Sequence, residues 1–588
     1  MPQNLEQIRH SFAHVLAQAV LKFYPDAKLG IGPAIDNGFY YDFGNAEIGE
    51  KDLAKIEKEM KKIISQGLEF KKEEWDAEKA KKYFKEQGAK YKLDLIGELE
   101  KEDKKVGMVH TGDPSKAEAG QFLDLCRGGH VKSTKNLPAD AFKLMRVAGA
   151  YWRGDETQDM LTRIYGVAFE TKKELEEHLE WLEEAAKRDH RKLGKELDLF
   201  TFSDLVGSGL PLFTTKGTII RNELQKAVTD ISKKYGAQPV SIPHIAKRVL
   251  YETSGHADKF GDELLQVKGH YEDFVMKPVN CPHHTQIYAS QMRSYRDLPI
   301  RYIESTMQYR DEKPGEIGGL TRVRAITVDD GHIFCTVEQI KEEAKNIGKI
   351  IEEFYKGLGL WGDHWVSLSV RDPQTPEAYI GEPKDWDKAE CMLEDISKEL
   401  KLDAKKIEGE AAIYGPKIDY MFKDSLGRET QLATIQLDFN MPKRFGLTYI
   451  NEKGEEETPV MIHRAILGSY ERFMAILIEH FGGAFPLWLS PDQVWVVPVS
   501  DKFNDYGRGI MQKLQDAGVR ADICDESESL GKKIRNGETK KLPYLLIVGE
   551  KEKKAGEVAV RDREKGDEGT MKVEGFVERV VKEIAEKK

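Results

Sequence analysis

Two kinds of residue in this chain are spaced for chemistry: arginines that bracket a glycine-rich loop, and thiol and imidazole groups in short clusters. Tyr309-Arg310-Asp311-Glu312 is followed by Pro314-Gly315-Glu316-Ile317-Gly318-Gly319-Leu320 and then Thr321-Arg322-Val323-Arg324. β-compatible residues on both sides of a loop that glycines let turn sharply predict a hairpin. Alternation in its second arm sends Arg322 and Arg324 to one face. Guanidinium is a permanently charged fork matched to phosphate oxygens, so the hairpin suits a triphosphate; a solvated surface hairpin has the same composition. Further on, His463 through Phe473 runs into an apolar helix with Met474, Ile476, Leu477 and Ile478. Gly468 permits close backbone approach to a ligand. Arg472 is expected on a buried element, where an unpaired charge is costly and a bound anion would offset it.

The thiols and imidazoles fall into two sets. Cys281 (in Val279-Asn280-Cys281-Pro282-His283-His284), His332 (in Asp329-Asp330-Gly331-His332) and His463 are far apart in sequence. That is no zinc-finger spacing, and a lone histidine in an apolar run is more often a hydrogen-bonded core residue. The second set is compact. His10 and His14 lie at i and i+4 on one helical face, roughly opposite the stripe of Ile8, Phe12, Val15, Leu16 and Ala19. Cys126 and His130 repeat the spacing in Asp124-Leu125-Cys126-Arg127-Gly128-Gly129-His130. On chemistry alone, a structural zinc site and a metal-free hydrolytic site are equally good readings.

These groups must be positioned by several domains, since 588 residues exceed one hydrophobic core and predict three or four. The composition, 40% hydrophobic and 32% charged, is that of an ordinary globular protein. A net charge of −11 gives no global basic signature, but phosphate attraction needs only a local basic face, so an RNA partner is not excluded. No apolar run approaches the ~18 residues of a membrane span. The start lacks a basic n-region and an apolar h-region, and five scattered cysteines make no disulfide framework, so a cytoplasmic location is expected. A helix is predicted from about Leu5 to Phe23, and a second from near Glu50 with Leu53, Ile56, Met60 and Ile63 on one side. Residues Thr171 to Leu197 predict one long charged helix with Thr171 and Glu174 as a capping box. From Pro491, strand-like Val494–Val499 and Leu545–Val548 with a helical stretch between them predict a small α/β domain.

The sequence resembles class II aminoacyl-tRNA synthetases over essentially its whole length. Arg310-Asp311-Glu312 with Arg322 resembles their second signature motif, Gly468 to Phe473 the third, and Leu210-Pro211, Gly217 and Tyr235 to Pro243 the first. The surroundings of Cys281, His332 and His463 resemble the threonyl type. So do His10, His14, Cys126, His130 and the downstream Ala150-Tyr151-Trp152-Arg153-Gly154, which look like its editing domain.

The resemblance implies an α+β multidomain chain. Its catalytic core is an antiparallel sheet at 198–490, preceded by an α+β editing domain at 1–170 and a linker helix at 171–197, and followed by an α/β anticodon-binding domain at 491–588. It implies that Arg310 holds the α-phosphate and the amino acid carboxylate, Glu312 reads the adenine amino group, Arg322 grips the γ-phosphate and Arg472 packs on adenine. Asp330, Tyr414, Gln431 and Gln436 would contact the amino acid. Cys281, His332 and His463 would bind one Zn²⁺ per subunit in its pocket, and Mg²⁺ would accompany ATP. Glu552 and Arg561 match the anticodon-reading positions. The implied partners are tRNA, ATP, L-threonine and a second copy of the chain through Pro243, with no membrane. His10, His14, Cys126 and His130 would hydrolyse seryl-tRNA without a metal.

Four departures from the family pattern stand out. The extra small domain that many bacterial relatives carry before the editing region is expected to be absent. His283 stands where glycine is usual, a side chain able to crowd the metal or to compete for it. Ile326 and Val328 stand where an aromatic and a glutamine are usual, and Ser527 where asparagine is common. Two rival readings are a class II enzyme for serine or proline, and a non-catalytic RNA-binding regulator. The zinc trio with the editing motifs counts against the first, and the intact Arg310, Arg322 and Arg472 against the second.

Overall fold

The computed structural model describes residues 3–101, 105–112, 122–362 and 364–587. Two compact units, Met1–Glu184 and Ala185–Lys588, divide the chain.

In the first unit, helix Gln3–Phe23 and helix Leu53–Gln66 pack on an antiparallel sheet. Its strands run in the order Lys28–Leu29, Gly38–Gly44, Met160–Ala168, Phe142–Tyr151, with Ala34–Ile35 paired to Gly38–Gly44. Leu53, Ile56, Met60 and Ile63 are buried on one side of their helix, as their spacing predicts. Helix Gln3–Phe23 is different. From Ser11 to Val20 every residue is buried, so the face opposite the apolar stripe is covered as well. A second antiparallel sheet, Phe70–Trp75, Val106–Thr111 and Phe122–Leu125, delivers the segment that carries Cys126.

The charged stretch from Thr171 starts as predicted. The Glu174 carboxylate accepts the Thr171 N–H at 3.1 Å, and Thr171 Oγ1 accepts the Glu174 N–H at 3.3 Å. It is two helices, however, Lys172–Arg188 and His190–Glu196. The Asp189 side chain accepts the Arg191 N–H at 2.8 Å and so begins a new helix where one continuous helix was expected.

The second unit is built on an eight-stranded sheet. Its order is Gln238–Pro239, Ile300–Tyr309, Ala325–Cys335, Val460–Ala465, Glu429–Asp438, Lys417–Lys423, His364–Val370, Lys405–Glu408. Six central strands are antiparallel and only the two outermost pairings are parallel. Helices Ile340–Lys356 and Tyr470–Phe481 contribute to the core on one side of it. Residues 310–324 form the loop between Ile300–Tyr309 and Ala325–Cys335, and the predicted second arm proves shorter than expected. Thr321 to Arg324 are outside the strand because their backbone bonds go elsewhere: Arg322 C=O accepts from Gly318 N–H at 3.1 Å, and Arg324 N–H donates to Gly209 at 2.8 Å. Arg322 and Arg324 nonetheless flank the buried Val323 and both reach Glu312.

The carboxyl-terminal sheet runs Ala521–Ile523, Val494–Pro498, Tyr544–Val548, Glu557–Asp562, Gly566–Lys572. Its first three strands are parallel, as crossover helices Asn504–Asp516 and Leu530–Thr539 require, and the last two are antiparallel.

Candidate functional site

Strand register assembles the first site. His332 pairs with His463 across Ala325–Cys335 and Val460–Ala465, and His463 pairs with Gln436 on the next strand. The three side chains therefore stand in a row on one face. Cys281 arrives from elsewhere, at the start of helix Cys281–Ala289. Its thiol and the two imidazoles are buried, with ligand atoms within 4.8 Å of one another.

The surroundings fit a cation. Nε2 of His463 lies 3.0 Å from Asp438 Oδ2, and the other oxygen of that carboxylate is fixed by the Asn440 and Met441 N–H groups. Nδ1 of His332 lies 2.7 Å from Nδ1 of His284. Such outer partners hold ligating imidazoles in place. Burial, with Asp330 and Asp438 nearby, pushes the Cys281 thiol well up. A bound cation would reverse that, since it stabilises the thiolate and offsets the carboxylates.

Neither Asp438 nor His284 stood out in the sequence. Asp438 follows Gln436 by two, hence on the same strand face, and His284 follows Cys281 by three, on the same helical face; those periods were the available signals. His283 is not one of the converging ligand groups. Its ring packs 6.1 Å from that of Tyr251, and neither nitrogen has a hydrogen-bond partner among the described residues. The Tyr414 ring stacks on His463 at 4.4 Å, and its hydroxyl donates to Gln436 at 2.6 Å. Gln431 is turned to Asp419 at 2.8 Å. Asp330 accepts from Asn280 at 3.1 Å, and burial raises its pKa.

Arg310 reaches the same neighbourhood: its Nη2 donates to Pro278 C=O at 3.5 Å, three residues before Cys281. Arg310 lies 4.9 Å over the Phe260 ring, makes no ion pair among the described residues, and leaves its Nε without a partner. Burial lowers its pKa. Arg322 bridges Glu312 and Glu316, each at 2.7 Å. Arg472 corrects an expectation. It is exposed, on the open side of the first turn of helix Tyr470–Phe481, with Nε 3.4 Å from Thr321 C=O. The buried arginine of this region is Arg464, paired at 2.9 Å with Asp329, whose carboxylate also accepts the Ile466 N–H at 2.8 Å. Those bonds shape the turn at Gly468, whose φ of 73° is one that only glycine adopts easily.

Along Ala325–Cys335 the two faces divide the work. Thr327 and Asp329 point into the protein, while Ile326, Val328 and Asp330 are half-buried on the face that bears His332.

The second site lies wholly in the first unit. His10, His14, Cys126 and His130 converge, with Cys126 Sγ 3.4 Å from His10 Nε2 and 3.3 Å from His130 Nε2. His10, His14 and Cys126 line a cavity of about 1200 Å³. His14 Nδ1 is buried without a partner among the described residues. Burial lowers the pKa of all three histidines and pushes the Cys126 thiol up to about 11. Lys92, unforeseen because a lysine in a charged stretch carries no distinguishing signal, is buried in an ion pair with Asp124 at 2.6 Å, and both line the cavity. Tyr151 to Gly154 do not line it. Trp152 Nε1 instead donates to Asp94 at 2.9 Å, bracing helix Lys90–Lys101.

The three neutral histidines make a stability prediction. Each has a folded-state pKa below the ordinary 6.5, so the unfolded chain binds more protons. Stability is therefore complete above about pH 6.5 and falls as pH drops below it. Hydrogen exchange of helix Gln3–Phe23, corrected for intrinsic rates, should accelerate between pH 7.5 and 5.5 more than that of strand Val494–Pro498.

In the carboxyl-terminal sheet, Glu552 and Arg561 are not brought together by any direct bond. Glu552 accepts the Gly549 N–H at 2.9 Å at a helix start, and Arg561 pairs with Glu538 at 2.9 Å.

Comparison with known proteins matches these parts one by one. Residues 265–481 match the tRNA synthetase class II core domain (G, H, P, S and T), 493–583 an anticodon binding domain, and 106–165 the threonyl and alanyl tRNA synthetase second additional domain. The threonine–tRNA ligase of Gloeobacter violaceus is 49% identical, over 100% of this chain and 93% of its own. That of Thermus thermophilus is 46% identical, over 100% of this chain and 90% of its own. Among solved structures, the RNA binding domain of threonyl-tRNA synthetase from Cryptosporidium parvum has 34% identity and a TM-score of 0.64, covering 67% of this chain and 98% of that one. Identity at this level over the full length, on a class II antiparallel sheet, settles the lineage: the chain belongs to the threonine–tRNA ligase family of class II aminoacyl-tRNA synthetases.

Proposed function

We propose that the chain activates L-threonine with ATP as threonyl-adenylate, transfers it to tRNA, and hydrolyses seryl-tRNA at its amino-terminal site. The observation that carries the threonine specificity is the convergence of Cys281, His332 and His463, with Arg310 bonded to the segment that leads into Cys281. These three residues would hold zinc. When bound, zinc supplies a Lewis-acidic centre for an amine and a hydroxyl, and valine lacks the hydroxyl. A site that requires a polar group rejects the analogue lacking it by about 10⁴–10⁵, against about 10² for an apolar pocket. Serine keeps the hydroxyl, and a missing methylene is worth only about 1–3 kcal/mol, hence the need for a second site.

Arg310 takes the α-phosphate and the amino acid carboxylate; its unpartnered Nε supports this. Arg322 takes the γ-phosphate in exchange for Glu312 and Glu316, which frees Glu312 for the adenine amino group. The exposed Arg472 packs on adenine, and Mg²⁺ accompanies the nucleotide. Asp330, Tyr414, Gln431 and Gln436 contact threonine. The reaction is an in-line attack of the carboxylate on the α-phosphorus with loss of pyrophosphate, driven by positioning and charge stabilisation.

In the editing cavity, His10, His14, Cys126 and His130 orient water without a metal, with the buried Lys92–Asp124 pair lining the same cavity. Editing is assigned to 1–170, the linker to 171–197, catalysis to 198–490 and the anticodon to 491–588 through Glu552 and Arg561. The exposed Pro243, with Ile245 and Val249 beside it, supports a homodimer. No helix among the described residues is long and apolar enough to cross a membrane; the enzyme is assigned to the cytoplasm.

Amino-acid-dependent ATP–pyrophosphate exchange tests the reading. Threonine supports exchange and valine does not. Strong exchange with proline, or none with any amino acid in a chain that still binds tRNA, overturns it.

A further inference from the structure

His190 is a buried histidine that the chemistry above does not use. It opens helix His190–Glu196, and its ring spans two distant elements. Nδ1 lies 2.6 Å from Glu479 Oε1, at the end of helix Tyr470–Phe481, and Nε2 lies 3.1 Å from the backbone nitrogen of Leu320. A backbone N–H can only donate, so Nε2 accepts and the proton sits on Nδ1, donating to Glu479. Glu479 is itself fixed: it accepts the His190 N–H at 3.0 Å and pairs with Arg428, which also donates to Asp424 at 2.7 Å. Asp189, His190 and Glu479 are close enough to hold a metal, but both ring nitrogens already have partners.

Leu320 ends the glycine-rich loop between the two arginine-bearing limbs. Lys313 to Glu316 are exposed, whereas Leu320 is fully buried, two residues before Arg322. Gly319 has a φ of 54°, and a Cβ there would lie 2.3 Å from His190 Nε2, so the loop backbone presses on the ring. Thr321 C=O is the atom that Arg472 Nε approaches. One imidazole thus fixes the point at which the loop returns to the sheet.

We propose that His190 is a positioning residue for the nucleotide: by accepting the Leu320 N–H it pins the return limb, so that Arg322 is presented to the triphosphate. This rests on reading the loop as the ATP site. Two substitutions split its roles. Asparagine places its amide nitrogen near Nδ1 and keeps the Glu479 bond, but offers Leu320 no acceptor. Glutamine places its amide oxygen near Nε2 and keeps the Leu320 bond. In threonine-dependent pyrophosphate exchange by the full chain, His190→Asn is expected to raise KM for ATP about tenfold, the scale of one lost hydrogen bond, and KM for threonine by less than about twofold. His190→Gln should stay within about threefold of the parent for both. Hydrogen exchange around Leu320 should quicken in the asparagine variant alone. Equal effects of both variants, a parallel rise in both KM values, or unchanged exchange at Leu320 overturns the proposal. A parent chain without pyrophosphate exchange would overturn the ATP reading instead, while exchange at Leu320 still decides whether His190 holds the loop.

Discussion

Arg310→Gln is expected to slow threonine-dependent pyrophosphate exchange by about 10²–10³-fold, the usual consequence of removing one charge-stabilising donor at a reacting centre. Stability should move the other way or not at all. Arg310 is half-buried, lacks an ion pair among the described residues, and has a buried Nε bonded to nothing. Glu312, the nearest signature carboxylate, is already held by Arg322. A charge partly withdrawn from water with no counter-ion is a burden on the free protein and becomes an asset only when phosphate arrives. Glutamine removes the charge, so the melting temperature of the free chain should hold or rise while ATP no longer raises it. Arg310→Lys keeps the charge without the planar fork and should recover little activity. Exchange within about threefold of the parent would show that Arg310 is a structural cation and not a substrate ligand.

The second large effect concerns Cys281. In Cys281→Ser, metal content should fall from one zinc per chain to nearly none, and threonine-dependent exchange should fall with it. What remains should discriminate poorly, because an apolar pocket separates threonine from valine by only about 10²-fold where a hydroxyl-reading site reaches about 10⁴–10⁵. Loss of fold is separable from loss of metal by Cys335→Ser, a buried cysteine outside the cluster, which should keep its zinc. Cys126→Ser provides the complementary control: zinc and exchange persist, and hydrolysis of seryl-tRNA is lost. A Cys281→Ser chain with a full complement of zinc and undiminished selectivity would sink the threonine assignment.

Much of this was legible because period and context agree. Leu53, Ile56, Met60 and Ile63 gave their helix by spacing, and Thr171 with Glu174 marked a helix start that both hydrogen bonds realise. The convergence of Cys281, His332 and His463 was not derivable from spacing. It depends on the register that pairs His332 with His463 and on a helix that enters from outside the sheet. Family context supplied that, and the geometry accords with it. The failures are tertiary. Asp189 looks like any charged residue of its stretch, yet its side chain ends one helix and begins another. Arg472 sits in an apolar run but on the one face left open, and the buried charge belongs to Arg464, whose partner Asp329 is 135 residues away in sequence. The stripe opposite His10 and His14 set these two apart from the apolar side of their helix, but the sheet that closes a cavity over them was not visible in it.

Strand Ala325–Cys335 carries an evolutionary consequence. Its odd positions, Thr327 and Asp329, weld the turn at Gly468 to the interior, while the half-buried side chains of Ile326 and Val328 lie on the opposite face, with His332. Drift at Ile326 and Val328 leaves the scaffold intact, and drift at Thr327 or Asp329 forfeits it first. The pleat of one strand thus partitions the mutational freedom of the chain between a permissive face and a structural one.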